Sequence, residues 1–193
     1  MKNVLKNLFQ IFGRFLKRCK DTVMKIFLIG YRCTGKTTIG KMLAECLNLD
    51  FIDTDQLIEQ HARLSIFQIV KRYGWKKFRQ IEKEMLFTTK DNTNIVIATG
   101  GGIIIHPENQ MFIKNNGTCV WLDADLKTIL HRLNTDKKSK ENRPALTHHN
   151  IIKEIDEGLN LRRPLYEKTS HIKIDTTCHT PKKIVNMINR RLT

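Results

Sequence analysis

Downstream of Met24 the chain alternates short apolar runs with longer stretches of helical spacing. The short runs predict strands at Lys25 to Ile29, Asp50 to Ile52, Ile95 to Ala98, Thr118 to Leu122 and His171 to Ile174. Between them the spacing predicts helices over Lys36 to Leu47, a pair within Asp55 to Arg72, then Lys76 to Lys90, Pro107 to Asn115, Leu126 to Asn134, Ile151 to Lys168 and Pro181 to Arg191. Such alternation is how parallel strands joined by right-handed helical crossovers read in sequence. The expected fold is α/β: a doubly wound, five-stranded parallel sheet flanked by helices on both faces. Residues 135–150, TDKKSKENRPALTHHN, are polar and lack apolar periodicity, which predicts a mobile surface segment able to close over a ligand.

Residues 1–23 carry a different pattern. Val4, Leu5, Leu8, Phe9, Phe12, Phe15 and Leu16 recur at helical spacing, and six Lys or Arg stand against the single Asp21, so the segment reads as a basic amphipathic helix. Arg14 and Lys17 interrupt its apolar stretch and no small-residue cleavage site follows, which fits a secretory signal poorly. No run approaches the ~18 apolar residues that span a bilayer. A dispensable extension is the leading reading, because Met24 stands directly before the first strand. Attachment to a membrane surface, or packing against the domain or a partner, stay open beside it.

The whole chain, at 193 residues with 40% hydrophobic and 27% charged positions, suffices for one α/β domain over residues 24–193 and is too short for two ordinary ones. A net charge of +15 suits polyanionic partners without choosing among nucleotides, acidic metabolites, nucleic acid and anionic membrane. Cys19, Cys33, Cys46, Cys119 and Cys178 are scattered, odd in number and without a C-x-x-C pair, which argues against a disulfide framework and for a reducing, cytoplasmic setting. The adjacent His148 and His149 would point in different directions, so no Cys or His metal site is expected.

Chemistry enters at residues 30–37, Gly-Tyr-Arg-Cys-Thr-Gly-Lys-Thr, a G-x-x-x-x-G-K-T loop between the first strand and the first helix. Wrapping a phosphate chain needs inward-pointing backbone N–H groups, which side chains at Gly30 and Gly35 would obstruct. The helix that follows offers its free amides and positive dipole end to the same oxygens. Lys36 supplies a mobile charge for the terminal phosphates, and the Thr37 hydroxyl is placed to ligate Mg²⁺. Gly30, Tyr31, Arg32, Cys33, Thr34, Gly35, Lys36, Thr37 and Thr38 are thus the expected nucleotide-binding set.

Other positions are weaker alone. Asp53-Thr54-Asp55 follows the second strand, where strand ends face the ligand crevice. One carboxylate there can hold Mg²⁺ through water and the other can reach an acceptor hydroxyl, although Asp55 could equally cap a helix. Thr99-Gly100-Gly101-Gly102 marks either a close backbone approach or a flexible turn. Arg79, one turn before Glu82, and Arg162, before Pro164, suit bidentate contact with a carboxylate, or are solvated surface arginines.

Taken in order, Asp53-Thr54-Asp55, Phe78-Arg79-Gln80-Ile81-Glu82, Thr99 to Gly102, Arg143-Pro144-Ala145-Leu146 and Arg162-Arg163-Pro164-Leu165-Tyr166 beside the phosphate loop resemble shikimate kinase from Met24 to the C-terminus. The resemblance implies a P-loop kinase fold with a lid at about 135–150, and ATP-dependent phosphorylation of the 3-hydroxyl of shikimate on the way to chorismate and the aromatic amino acids. It implies that Lys36 and Arg143 stabilise the transferring phosphoryl group, that Thr37 and Asp53 hold Mg²⁺, and that Asp55 orients the acceptor hydroxyl. It further implies that Arg79 and Arg162 clamp the shikimate carboxylate while Gly100, Gly101 and Gly102 contact the ring. ATP and shikimate are then the partners, with a monomer and no nucleic acid expected.

Three places depart from the family pattern. Cys33 stands where a third loop glycine is common, so the loop needs a conformation there that a residue with a Cβ can adopt. Trp75, Lys76 and Lys77 replace an often acidic patch, and Thr176-Thr177-Cys178-His179 lacks an arginine often found near the adenine. Competing readings are a gluconate or nucleoside monophosphate kinase and, from another class, a basic binding module without catalysis.

Overall fold

The structure, a computed structural model, describes residues 23–135 and 151–192. The basic N-terminal helix expected over residues 1–23 falls, but for Val23, outside the described residues, as does Arg143 with all but the first residue of the expected lid. Among the described residues the elements run β1 (Lys25–Ile29), α1 (Lys36–Leu47), β2 (Asp50–Asp53), α2 (Thr54–Ala62), α3 (Ile66–Thr88), β3 (Ile95–Ala98), a 3-10 turn (Ile103–Ile105), α4 (Pro107–Asn116), β4 (Thr118–Asp123), α5 (Leu126–Thr135), α6 (Ile151–Thr169), β5 (Ile172–Asp175) and α7 (Pro181–Leu192).

The strands pair in parallel in the order β2-β3-β1-β4-β5. From the central β1 the chain winds first towards β2 and β3, then crosses to β4 and β5. The carboxyl ends of the strands flanking that reversal open a crevice, the usual ligand position in such sheets. Every residue of β1 is buried, because helices cover both faces and leave no solvent side for polar alternation.

Side chains alternate across the sheet. Phe27, Ile29, Ile97 and Trp121 face Phe112 of α4 and Tyr166 of α6, whereas Ile26, Leu28, Val96 and Val120 face Leu43 of α1 and Ile188 of α7. Each fully buried Leu, Ile or Phe contributes about 1.5–3 kcal/mol. A smaller cluster, Ile58 with Ile69, Phe78 and Ile81, fastens α2 to α3 away from the sheet. The buried Lys25 amine donates to the carbonyls of Thr89 (2.9 Å) and Lys90 (2.6 Å), satisfying groups beyond the end of α3, and its burial lowers its pKa.

The span α3 is two helical segments meeting at Gly74, whose φ of 77° and ψ of 170° are non-helical and open mainly to glycine, so the second of the paired helices and the helix expected from Lys76 are both present. Ser65 starts α3 with a reciprocal capping box to Gln68. The last strand begins one residue later than expected: Asp175 pairs with Asp123, and His171 lies outside with its Nδ1 accepting from the Cys119 amide at 2.9 Å.

Candidate active site

The loop leaving β1 holds Gly30 at φ 143°, where a Cβ would collide with the Leu122 carbonyl of β4. Gly35, at φ 94°, precedes α1, which has no side-chain cap and no acidic residue in its first turn. Its first amides and positive dipole end are therefore available to an anion. Cys33 adopts φ 61°, the left-handed region, where an L-residue with a Cβ is strained by roughly 1–2 kcal/mol.

Lys36 folds across this loop and donates to the carbonyls of Gly30 (2.9 Å) and Tyr31 (2.7 Å). The Thr37 hydroxyl donates to Asp53 Oδ2 at 2.7 Å, and Asp53 Oδ1 accepts the Asp55 amide at 3.0 Å. Asp53, rather than Asp55, thus caps α2, which leaves the Asp55 carboxylate in the first turn facing the crevice. Cys33, Lys36, Thr37, Thr38, Asp53 and Asp55 line this half.

On the other side of Asp55 lies a second half-site, shared through Asp55 and Gly101. Arg79 projects from α3 and donates to Glu82 Oε2 at 2.5 Å. Its guanidinium rests on Gly102, where any Cβ would collide with it, and lies 5.0 Å from the Phe78 ring centre and 5.5 Å from that of Trp75. A Cβ on Gly100 would come 2.7 Å from Asp55 Oδ1 and 2.9 Å from Glu82 Oε1. The glycine run therefore gives room for charged side chains to settle on backbone. The turn itself is pinned, with the Thr99 hydroxyl donating to the Leu28 carbonyl (3.0 Å) and the Gly100 amide to the Thr54 hydroxyl (3.1 Å).

Arg162 reaches in from α6 with Nη1 3.4 Å from the Gly101 carbonyl, and its buried Nε has no hydrogen-bond partner among the described residues. The Tyr166 hydroxyl donates to the same carbonyl at 2.6 Å, and its burial raises its pKa. Glu82, 1% exposed, is pushed up to about 7 by burial, with the neighbouring Arg79 cation opposing that rise.

Three members of the expected nucleotide set direct their side chains away from the phosphate half. The Arg32 side chain turns to the Arg79 half, because the buried Glu154 of α6 claims it at 2.9 Å. Tyr31 and Thr34 are buried under the loop and their side chains line neither half; Thr34 donates to the Tyr31 carbonyl at 2.9 Å. Arg143 lies outside the described residues.

Sequence reasoning passed over Arg132, whose guanidinium donates to the Cys33 carbonyl (3.2 Å) and to Thr176 Oγ1 (3.1 Å) and carbonyl (2.6 Å), tying the phosphate loop to the turn after β5. One arginine in the last turn of an amphipathic helix carries no signal that would single it out. The Trp75–Phe78 wall, edge to face at 5.7 Å between ring centres, was visible only as a departure from the family pattern.

Among the described residues no three His, Cys, Asp or Glu side chains gather as metal ligands, and no helix is long and apolar enough to cross a membrane. The family model for shikimate kinase matches residues 32–193. Shikimate kinase 2 of Photorhabdus laumondii is 40% identical, with 84% of this chain and 92% of that protein covered. The shikimate kinase of Thermodesulfovibrio yellowstonii is 39% identical over 84% and 91%. Among solved structures, the Acinetobacter baumannii shikimate kinase in complex with shikimate superposes with a TM-score of 0.84 at 31% identity, covering 91% of this chain and 96% of that one. The Aquifex aeolicus shikimate kinase gives 0.75 at 36% identity, covering 88% and 96%. This chain belongs to the shikimate kinase family.

Proposed function

We propose that the two half-sites hold ATP and shikimate on either side of Asp55, and that the enzyme transfers the terminal phosphoryl group of ATP to the 3-hydroxyl of shikimate. The observation that carries this reading is the double role of Asp55, which borders both the phosphate loop and the arginine-lined half. A carboxylate in that position can accept the acceptor's hydroxyl proton as the oxygen attacks phosphorus.

Lys36, now bonded to loop carbonyls, would turn its amine onto the phosphate oxygens, while the α1 amides hold them from below. The pre-bonded Thr37 hydroxyl and Asp53 carboxylate form a hard-oxygen pair that would hold Mg²⁺. When bound, Mg²⁺ neutralises charge on the phosphates. Arg79 and Arg162 would grip the carboxylate of shikimate: Glu82 fixes the first, and the second has an unpaired buried N–H to offer. Gly100 to Gly102 let the ring approach the backbone. Catalysis then rests chiefly on alignment and on cations already in place.

A coupled assay of ADP release with Mg-ATP and, in turn, shikimate, gluconate and AMP tests this. Stoichiometric ADP with shikimate alone is expected. Turnover with gluconate or AMP, or none with shikimate, overturns the assignment.

A further inference from the structure

The Tyr31 side chain belongs to the phosphate loop by sequence and to the acceptor half by contact. Its ring is 1% exposed and lines neither half of the crevice. The Arg162 guanidinium carbon stands 5.2 Å from the ring centre, and that of Arg32 stands 5.7 Å from it. Both cations are anchored through α6: Arg162 arises from it, and Arg32 is paired with its Glu154 at 2.9 Å. The phenol tip is driven into α6 at Gly158, where an added Cβ would lie 2.6 Å from the hydroxyl oxygen, and that hydroxyl has no hydrogen-bond partner among the described residues.

A buried tyrosine hydroxyl usually finds a partner, so one with none among the described residues leaves the ring as the part of this side chain with visible contacts. Meanwhile Arg162 meets the Gly101 carbonyl at a long 3.4 Å, interacts with the Tyr166 hydroxyl and the Glu82 carboxyl, and keeps an Nε without a partner among the described residues, so its polar contacts leave part of its orientation to the ring. Face-on attraction to a desolvated aromatic ring orients such a guanidinium without consuming the N–H groups it needs for a ligand. The Tyr31 carbonyl meanwhile accepts from Lys36 and Thr34, so the residue that steers Arg162 is seated in the loop that holds phosphate.

We propose that Tyr31 is a positioning residue for the acceptor: its ring, wedged against α6 at Gly158, aims Arg162 at the acceptor's carboxylate, so a phosphate-loop side chain sets affinity for the second substrate. This rests on the shikimate-phosphorylating reading above, which supplies the acceptor.

The test measures KM for shikimate and for ATP, and kcat, in the full-length protein and four variants. Tyr31→Leu removes the aromatic face and should raise the shikimate KM roughly tenfold, the scale of a desolvated cation–π contact, with ATP KM unchanged. Tyr31→Phe keeps the face and should stay within about twofold of the parent enzyme. Gly158→Ala, a change that favours the helix locally, pushes on the phenol tip and should reproduce the shikimate KM defect. Combining it with Tyr31→Phe removes the atom in collision and should restore shikimate KM. If Tyr31→Leu does not fold, Gly158→Ala and the double variant decide the matter. A parallel rise in ATP KM, a Tyr31→Phe as impaired as Tyr31→Leu, or a Gly158→Ala with unchanged shikimate KM overturns the proposal. Those results presuppose an active parent enzyme; absence of shikimate-dependent ADP release in the parent would instead refute the function itself.

Discussion

The two halves of the crevice are made of different material. The phosphate half comes largely from one local stretch, the loop after β1 and the start of α1, completed by Asp53, Asp55, Thr99 and Gly101, and its loop offers main-chain groups shaped by the positive φ angles of Gly30, Cys33 and Gly35. The arginine half is assembled from α2, α3, the turn after β3 and α6, and it works through side chains: Asp55, Arg79, Glu82 and Arg162. Main-chain donors survive most substitutions that keep the loop's path, whereas a side-chain clamp loses function with each member removed. The first half should therefore tolerate change at positions other than Gly30, Gly35, Lys36, Thr37 and Asp53, and the second almost nowhere.

Lys36 is where the comparison can be broken most severely. Lys36→Ala removes the phosphate half's mobile cation, and kcat should fall about a thousandfold with shikimate KM little altered, the scale seen when a preorganised charge-stabilising group is lost. A kcat within about tenfold of the parent would mean that Lys36 is not the group that stabilises the transferring phosphoryl.

Glu82 supplies the next effect, on stability. Its carboxyl, with an ordinary pKa of 4.5, is raised to about 7 in the fold by burial. Between those values the folded state holds a proton that the unfolded state has lost, so the contribution is fully present below pH 4.5 and is lost as pH rises through 7. Ligand-free protein should lose up to about 3 kcal/mol over that window from this group. Urea unfolding at several pH values checks it: Glu82→Gln should lack this share of the slope. Identical pH slopes would show that Arg79 keeps Glu82 ionised throughout.

Next in size is the clamp. Arg79→Ala and Arg162→Ala should each raise shikimate KM about ten- to a hundredfold, as expected for losing a charge-assisted hydrogen bond worth about 1.5–3 kcal/mol, with ATP KM held. An unchanged shikimate KM in Arg79→Ala would remove the arginine half from acceptor binding.

The same contrast explains what could be read from the chain. The phosphate loop was legible because its geometry is local: glycine at 30 and 35, lysine and threonine next, a strand before and a helix after. The sheet was legible because buried parallel strands are uninterrupted apolar runs, as in Lys25–Ile29. Arg79 and Arg162, by contrast, stand 83 positions apart and look like surface arginines until the fold sets both beside Gly101 and Gly102. The residues alone left each open between a carboxylate contact and a solvated surface arginine, and the family resemblance chose the former. Neither route reached Arg132, or the turn of the Arg32 side chain towards Glu154, since each depends on a partner contributed by a remote element. The Gly74 break was legible as the gap between two helical patterns, because the non-helical backbone there separates two helical segments.

The smallest effect expected is also the sharpest probe of the main-chain half. Cys33 occupies a left-handed conformation that strains it by about 1–2 kcal/mol, and Cys33→Gly would relieve that. Glycine also enlarges the unfolded ensemble by a comparable amount, roughly 0.5–1 kcal/mol, so the net change in stability should stay under about 1 kcal/mol. If phosphate is held by loop amides, ATP KM should move by no more than about twofold, because the substitution keeps every amide and the same φ. Cys33 borders the phosphate half while its side chain packs partly against the core, so the alternative is physical: a side chain that meets the nucleotide directly. An ATP KM shifted about tenfold in Cys33→Gly, with shikimate KM unmoved, would show that this half too works through a side chain and would erase the distinction between the two.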